Sequence, residues 1–183
     1  MAKVLILYDS KTGQTAKIAE RMAQQMRDKG NTVDCFQLNH LARDFDIDTY
    51  DGILVGAPVR MMKFPKRVVR FVRRNRDKLV SHNGGFFVVC MAAADKRPET
   101  QQDLANWISS FLSETGWQPS KQTVFAGAVL YTKYDFITRM VMKKISAAEG
   151  RSTDTSRDHE YTDWEEVSKF ADEYLGKLVA TSQ

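Results

Sequence analysis

Short apolar runs alternate along the chain with longer segments in which apolar residues recur at every third or fourth position. Residues 3–8, 52–57 and 84–91 are almost continuously apolar, which is typical of strands that are covered on both faces of a parallel sheet. Residues 32–38 alternate between apolar and polar side chains, as in a strand near a sheet edge. Residues 122–129 are predicted to form a fifth strand.

Helical periodicity separates these runs. Residues 14–29, 64–79 and 100–115 each carry an apolar stripe at three- and four-residue steps, and Gly30 and Gly116 are placed to end two of these helices. A last helix is predicted to begin at Thr162, because Asp163, Glu165 and Glu166 favour the positive end of a helix. Strands that alternate with helices predict an α/β protein with a parallel sheet and helices on both faces.

Residues 130–161 interrupt this rhythm, because the segment is too long for a connection between a strand and the closing helix. The segment is rich in apolar residues, so we expect it to be ordered and partly helical. It also pairs bulky apolar residues with lysine and arginine, a pattern shared by lids that pack on a domain and by helices that lie in a membrane interface. The pattern leaves both alternatives open.

The composition narrows the class of protein. A chain of 183 residues suits one domain, residues 1–183, and Cys35 and Cys90 lie in apolar runs that favour reduced core thiols. Metal-ligand spacing and a signal or membrane-spanning segment are missing from the sequence, so we expect a cytosolic or peripherally attached protein without a metal. The net charge of +4 favours anionic partners.

The strongest local motif follows the first predicted strand. Residues 10–15 form a loop of hydroxyl-bearing residues and one glycine at a helix N-terminus, where free N–H groups and hydroxyls can hold a phosphate monoester. The spacing matches neither a Walker loop nor a dinucleotide fingerprint, which leaves a mononucleotide. Helix capping alone would also explain the hydroxyls, but the first strand of an open α/β sheet ends where ligands bind.

The loop and the order of the elements resemble the flavodoxin family, whose FMN phosphate lies in a loop of this form. The resemblance implies a flavodoxin-like, doubly wound five-stranded parallel sheet of order 2-1-3-4-5 and FMN as cofactor. It implies that the phosphate is held by Ser10, Lys11, Thr12, Gly13, Gln14 and Thr15. The ring would be flanked by two loops that contain Ala57, Pro58, Val59 and Arg60, and Met91, Ala92, Ala93 and Ala94.

The last third of the chain is similar to the bacterial menaquinone-dependent protoporphyrinogen IX dehydrogenases of haem biosynthesis. The similarity rests on residues 125–128, 150–155 and 161–165, and within these on Thr153-Asp154-Thr155 and Tyr161-Thr162-Asp163-Trp164 above all. It implies that protoporphyrinogen IX loses six electrons in three steps, each passing a hydride to the flavin N5, and that menaquinone or ubiquinone reoxidises the FMN. No side chain is predicted to be catalytic. The resemblance adds four residues to the predicted cofactor site, which are Gly150, Thr153, Asp154 and Thr155.

The two propionates of this substrate require cations near the flavin. Residues 59–78 carry nine cations and one carboxylate, a net charge of +8, and residues 131–151 carry a net charge of +3. We predict that the substrate is bound by Arg60, Lys63, Tyr131, Lys133, Tyr134 and Arg139. Peripheral attachment to the cytoplasmic face of the bacterial inner membrane, through the basic amphipathic insertion at about residues 130–161, would let the enzyme meet its quinone.

Rival functions remain at this stage. A flavodoxin that only carries electrons is usually acidic and has no use for the insertion, whereas an FMN-dependent NAD(P)H:quinone reductase would be reduced by a nicotinamide. The basic residues 60–78 could suit nucleic acid, but stacking aromatics are sparse there, so we expect no nucleic acid partner. A receiver domain would need an aspartate where Gly56, Ala57 and Pro58 stand.

Overall fold

The structure is a computed structural model that describes residues 1–42, 44–133, 136–148, 150 and 152–181. Seven strands and five α-helices alternate along these residues. In chain order they are β1 (Lys3–Tyr8), α1 (Gln14–Asp28), β2 (Thr32–Gln37), β3 (Gly52–Pro58), α2 (Lys66–Ser81), β4 (Gly85–Cys90), α3 (Pro98–Thr115), β5 (Lys121–Ala126), β6 (Ala128–Val129), α4 (Phe136–Ala148), β7 (His159–Glu160) and α5 (Trp164–Thr181).

Five of the strands form one parallel sheet. Its order is β2-β1-β3-β4-β5, so β1 pairs with both β2 and β3 and the strand order reverses beside β1. The predicted order and the alternation of strands and helices are confirmed. Open sheets of this kind bind ligands in the crevice outside the carboxyl ends of the strands, at the reversal.

The core lies on both faces of the sheet, because successive side chains of a strand point to opposite sides. Val4 and Ile6 of β1 pack with α1 and α5, whereas Leu5 and Leu7 pack with α2 and α3. All four side chains are fully buried, which explains why β1 is apolar throughout rather than alternating.

The ends of the helices are set by local chemistry. Pro65 precedes α2 with an extended ψ of 132°, so this helix begins two residues later than predicted. Asp163 accepts hydrogen bonds from the backbone N–H groups of Glu165 and Glu166 at 2.9 and 3.1 Å, which makes Asp163, rather than Thr162, the residue that caps α5.

The predicted strand over residues 122–129 is wrong in one respect: it is broken at Gly127. The N–H of Gly127 donates to the carbonyl of Cys90 and its carbonyl accepts from the N–H of Tyr161, so the chain leaves the sheet after Ala126. The next two residues form β6, which pairs antiparallel with β7. This two-stranded ribbon joins the two ends of the insertion.

The insertion contains a packing centre of its own. Tyr131 is fully buried, its hydroxyl donates to the hydroxyl of Ser146 on α4 at 2.9 Å, and its ring lies 5.9 Å from that of His159. Asp158 accepts hydrogen bonds from the N–H and hydroxyl of Thr132 at 2.9 and 2.8 Å. The described residues of the insertion therefore include the helix α4 and pack against one another. Within the described ranges, no helix is both long and apolar enough to cross a bilayer.

Candidate active site

The loop between β1 and α1 lies at the carboxyl end of the sheet. The N–H of Gly13 donates to the hydroxyl of Ser10 at 3.1 Å, and the amide of Gln37 on β2 donates to the carbonyl of Ser10 at 2.9 Å. Gly13 has φ +106°, a left-handed conformation that disfavours a side chain, and it begins α1 without a side-chain cap. These contacts fix a turn that leads directly into the helix N-terminus.

The start of α1 is suited to an anion. Its first turn contains no acidic residue, so the positive end of the helix dipole is not neutralised there. Lys11 is exposed beside it and Thr12 is half-buried, whereas Gln14 and Thr15 are buried, with 6% and 3% of their surface exposed. Gln14 and Thr15 can therefore offer backbone N–H groups, while their side chains support the loop from below.

Four residues connect the start of α1 to the end of the insertion, and we call them the clasp: Gln14, Lys17, Glu160 and Thr162. The amide of Gln14 donates to the hydroxyl of Thr162 at 2.9 Å, and that hydroxyl donates to the carbonyl of Ala126 at 2.7 Å. The ammonium group of Lys17 lies 2.5 Å from the carboxylate of Glu160. The clasp holds β7 against the phosphate loop.

Glu160 has a shifted acidity within the clasp. Burial alone would raise the pKa of its carboxyl, but hydrogen bonds from Lys17 and from the indole of Trp164 outweigh burial and lower it. The Trp164 contact measures 2.7 Å, and the ammonium group of Lys17 also lies 5.1 Å from the Trp164 ring. Glu160 is therefore ionised at neutral pH, which keeps the ion pair with Lys17 intact.

The loop after β3 lies beside the phosphate loop. Ala57 and Pro58 are buried within β3, so they offer a ligand only backbone, whereas Val59 is half-buried and its N–H donates to the carbonyl of Val89. The guanidinium group of Arg60 donates to the hydroxyl of Thr12 at 3.1 Å. This contact places a cation beside Thr12 of the predicted phosphate loop.

Arg60 begins a tight turn, which we call the methionine turn, over residues 60–63. The N–H and carbonyl of Arg60 pair with the carbonyl and N–H of Lys63 at 3.0 and 2.9 Å. Met61 and Met62 have φ of +45° and +61° and are 90% and 66% exposed. A non-glycine residue in this conformation costs roughly 1–2 kcal/mol.

The loop after β4 forms the third wall of this edge. Residues 91–94 form a short 3₁₀ turn in which all four side chains are half-buried. Asp95 accepts hydrogen bonds from the Arg97 side chain and the Thr100 hydroxyl, and the Arg97 bonds hold the pKa of its carboxyl well below the usual range. Burial raises the pKa of the neighbouring Cys90 thiol to about 11, so Cys90 is protonated and inert.

The predicted cofactor residues of the insertion, Gly150 and residues 153–155, are related less directly to the phosphate loop. Asp154 accepts hydrogen bonds from the N–H and hydroxyl of Ser156, and these bonds lower the pKa of its carboxyl. Thr153 and Thr155 are half-buried, and Gly150 lines a cavity of about 510 Å³ that also includes Glu160 of the clasp. Gly150 thus borders the same cavity as Glu160 of the clasp, whereas among the described residues the partners of Asp154 are nearby in sequence.

The predicted substrate residues divide into two groups. Arg60 and Lys63 are exposed at the edge where the phosphate loop lies, whereas Tyr131 is buried in the insertion and Arg139 donates to the carbonyl of Tyr131 at 3.1 Å. Tyr131 and Arg139 therefore contribute to the internal packing of the insertion in this structure. Tyr134 lies outside the described residues, as does the side chain of Lys133.

The loop is supported by Gln37, Lys17 and Glu160, although no motif in the sequence predicts a role for them. Their partners lie far away in sequence, 143 residues apart for Lys17 and Glu160, so no local spacing could reveal them. Thr162 had a signal, because it belongs to the Tyr161-Thr162-Asp163-Trp164 segment that carries the family resemblance. The resemblance indicated the segment without indicating its contact with Gln14.

The donors at this edge fit the phosphate of a mononucleotide. Hydroxyls of Ser10 and Thr12, the Lys11 ammonium group and the uncapped start of α1 are suitable ligands for a dianion. The loops after β3 and β4 provide half-buried walls for a flat ring beside it. No group of residues suited to a metal ion occurs within the part of the chain that the structure describes.

Comparisons with known proteins agree with this geometry. A family model described as a flavodoxin domain matches residues 5–156. The chain is 31% identical over 172 residues, 93% of each protein, to a protoporphyrinogen IX dehydrogenase (quinone) of Escherichia coli. It is 29% identical over 181 residues to a protein of the same name from Leishmania major, covering 97% of this chain and 77% of that protein. The crystal structure of oxidised flavodoxin 1 from Bacillus cereus superposes with a TM-score of 0.57 at 16% identity, over 96% of this chain and 98% of that one.

Proposed function

The chain belongs to the flavodoxin-like protoporphyrinogen IX dehydrogenases, and we propose that it oxidises protoporphyrinogen IX to protoporphyrin IX with FMN and a quinone. The observation that carries the proposal is the phosphate loop at the carboxyl edge of the sheet, with Arg60 bound to Thr12 beside it. The flavodoxin fold provides the FMN site. The related enzyme of Escherichia coli aligns with 93% of this chain and with 93% of its own length.

FMN is held at its phosphate by the residues of the loop. Ser10, Lys11 and Thr12 provide side-chain donors, while Gly13, Gln14 and Thr15 provide the N–H groups at the start of α1. The backbone of residues 57–60 and 91–94 would provide the walls for its ring. When bound, FMN supplies the redox chemistry, by taking electron pairs from the porphyrinogen and passing them to the quinone.

The overall reaction fixes its stoichiometry. Protoporphyrinogen IX loses six electrons and six protons in three two-electron steps, and three quinone molecules become three quinols. No histidine occurs in residues 9–15, 57–63 or 91–95, so these loops bring no imidazole to the reaction. The protein's contribution is to position the porphyrinogen and to exclude water from the ring.

Arg60 and Lys63 are the cations that we assign to the propionates. Both are exposed at the carboxyl edge, where they can reach a substrate that lies over the ring. Arg60 can bind a carboxylate with two parallel hydrogen bonds, which fixes orientation as well as affinity. This assignment leaves the remaining cations of α2 without a part in the reaction.

We also propose peripheral attachment to the cytoplasmic face of the bacterial inner membrane. On α4, Met140, Val141 and Ile145 are 48%, 51% and 41% exposed, and Lys143 and Lys144 lie beside them. Exposed apolar residues next to cations suit a helix that lies in an anionic membrane interface. Such attachment supports access to menaquinone or ubiquinone, which are dissolved in the bilayer.

The proposal is tested with the purified, FMN-loaded chain under anaerobic conditions. Porphyrin fluorescence is followed after addition of protoporphyrinogen IX, with and without a water-soluble quinone. Without quinone we expect at most one porphyrin for every three FMN-loaded chains, whereas fluorescence should continue to rise when quinone is present in excess over the enzyme. A flavin-containing chain that forms no porphyrin with any quinone would contradict the proposal and leave an electron carrier or an NAD(P)H:quinone reductase.

The propionate assignment has a matched control. The double variant Arg60→Gln and Lys63→Gln should raise KM about tenfold, because hydrogen bonds to charged groups are worth about 1.5–3 kcal/mol. Arg21 and Lys169 are exposed on α1 and α5, on the opposite face of the sheet, so replacing both by glutamine removes the same charge without changing KM. Equal effects of the two double variants would contradict the assignment.

A further inference from the structure

A groove of about 700 Å³ lies between α2 and α3, and apart from Lys63 none of the residues that line it has a part in the proposed reaction. Its floor is aromatic: Phe64, Trp107 and Phe111 line it, and the rings of Phe64 and Phe111 lie 4.4 Å apart. The rim bears one carboxylate, that of Glu114, and five cations, which are Lys63, Lys66, Arg70, Arg73 and Arg74. An apolar floor under a cationic rim suits a ligand with an anionic head and an apolar body.

The methionine turn stands at one end of this groove, because Met62 and Lys63 also line it. Met61 and Met62 extend into water from a backbone conformation that glycine or asparagine adopts more easily. Side chains this exposed contribute little to the core. Two large apolar side chains therefore remain in solvent next to a strongly basic helix, in a conformation that disfavours them.

We propose that the methionine turn and the α2–α3 groove together bind the surface of an anionic phospholipid bilayer. Met61 and Met62 enter the interface, while Arg70 and Arg74 hold a lipid phosphate and the first part of its acyl chain lies on Trp107. Charge complementarity selects this occupant, because residues 59–78 carry a net charge of +8 and anionic leaflets attract such segments. A nucleic acid would match the charge but would leave the methionines in water.

The substrate's propionates do not explain the groove. Arg74 lies eight residues into α2, roughly 12 Å along the helix axis from its start at the carboxyl edge. A porphyrinogen bound there would lie far from the phosphate loop. The lipid contact of Arg70 and Arg74 is therefore separate from the substrate site, which the groove meets only at Lys63, and the Arg60–Thr12 hydrogen bond keeps the methionine turn beside the flavin site.

The proposed lipid binding is inferred from the groove and the methionine turn. Its role, which is to bring the flavin site to a quinone in the bilayer, rests on the proposed function. The test is flotation of the FMN-loaded chain with vesicles of phosphatidylcholine, with or without phosphatidylglycerol. We expect binding to the anionic vesicles only. The double variant Arg70→Gln and Arg74→Gln should weaken it by roughly tenfold to thirtyfold, since each cation near the surface contributes a factor of about five.

Three further double variants distinguish the proposed lipid-binding surface from the opposite face of the sheet and from α4. Met61→Asn with Met62→Asn keeps the turn but should weaken the part of the binding that persists in high salt. Arg21→Gln with Lys169→Gln, on the opposite face, should bind normally. Lys143→Gln with Lys144→Gln measures the contribution of α4. Normal binding by both groove and methionine variants would overturn the inference, even if the α4 variant lost binding.

A spectroscopic signal reports on the groove directly. Trp107 is half-buried in the groove, Trp117 is fully buried, and Trp164 is half-buried beside Glu160, so the signal is recorded in a Trp164→Phe background, where anionic vesicles should shift the emission of Trp107 to shorter wavelength. Trp107→Phe should abolish the shift without abolishing flotation. A shift that survives this substitution, or stronger binding to duplex DNA than to vesicles, would overturn the inference.

Activity with a water-soluble quinone separates the two proposals. A chain that floats through Arg70 and Arg74 but forms no porphyrin would keep the lipid surface and remove the proposed function. A chain that forms porphyrin while its groove variants float normally would remove only the lipid surface. The groove variants should retain full activity with the soluble quinone, because neither arginine belongs to the flavin or substrate site.

Discussion

Gly13, Met61 and Met62 share a left-handed backbone at the same edge of the sheet, for opposite reasons. At Gly13 the lack of a side chain lets the backbone turn into α1 and approach a phosphate closely. At the methionines, large side chains occupy this conformation although it disfavours them, which supports the contact with a bilayer that we propose for them. The same backbone conformation therefore serves a phosphate contact at Gly13 and the proposed lipid contact at the methionines.

Replacement of Gly13 by alanine tests the first of these statements. The left-handed conformation should cost roughly 1–2 kcal/mol, and the added methyl group narrows the phosphate site, so we expect at least tenfold weaker FMN binding. Gly30 has φ +82° at the other end of α1, with open space around it. Gly30→Ala should lower the free energy of unfolding similarly and leave the Kd for FMN unchanged; equal loss of FMN affinity would contradict the role of Gly13.

Residue types predicted the phosphate loop but not all of its contacts. The hydroxyls, the glycine and the position after β1 are local features, so residues 10–15 could be identified from sequence. The side chain of Gln14 turns away to Thr162, 148 residues later in the chain, which no local pattern can indicate. Tyr131 was predicted to bind the substrate, yet its hydroxyl contacts Ser146 and its ring contacts His159, both within the insertion.

Among the elements, the sheet and its helices were the most predictable part. Continuous apolar runs identified β1, β3 and β4, since strands buried on both faces leave no polar positions. The end of β5 was not predictable, because Ala126, Gly127 and Ala128 suit both a strand and a turn. Its position depends on long-range hydrogen bonds from Gly127 to Cys90 and from Tyr161 to Gly127.

Thr162→Val tests the clasp as a link between the insertion and the phosphate loop. Valine has nearly the same shape but leaves the buried amide of Gln14 without its acceptor, which costs about 1–3 kcal/mol. We expect the free energy of unfolding in urea to fall by that amount and FMN to bind more weakly. Thr162→Ser keeps the hydroxyl and should restore both; full loss in the serine variant would show that the methyl group matters instead.

The ion pair of Lys17 and Glu160 gives the clasp a pH dependence. Because the folded-state pKa of Glu160 is lowered, its contribution is complete above its ordinary pKa of 4.5 and is lost as pH falls through the lower folded value. Both side chains are partly exposed, so the contribution should stay below about 1 kcal/mol. Urea unfolding of Glu160→Gln across acidic pH should lack this component.

Lys17→Gln provides the matched variant for the ion pair. It should remove the same pH-dependent component of stability as Glu160→Gln, and the double variant should add nothing further, because both substitutions remove one interaction. Additive effects of the two substitutions would contradict the pair and assign the lowered pKa of Glu160 to its hydrogen bonds with Trp164 and Gln14.

At the scale of the whole molecule, the sheet architecture determines the FMN site, whereas the basic charge lies around the groove between α2 and α3. The parallel sheet brings three loops to one edge and so creates the FMN site, which the order of elements was sufficient to predict. The basic charge is concentrated in residues 59–78 and forms the rim of a groove on one face. The charge of residues 59–78 can be counted from the sequence. The groove could not be predicted, because α3 contributes Trp107 and Phe111 from a distant segment.

The most direct test of the central claim is a single turnover with FMN as the only electron acceptor. Protoporphyrinogen IX is mixed anaerobically with an excess of the FMN-loaded chain, and flavin absorbance and porphyrin fluorescence are recorded together. Because six electrons leave each porphyrinogen and each FMN takes two, we expect three flavins bleached per porphyrin formed, and full recovery of the flavin on addition of menaquinone. Flavin that stays oxidised with protoporphyrinogen but is bleached by NADH or NADPH would contradict the account.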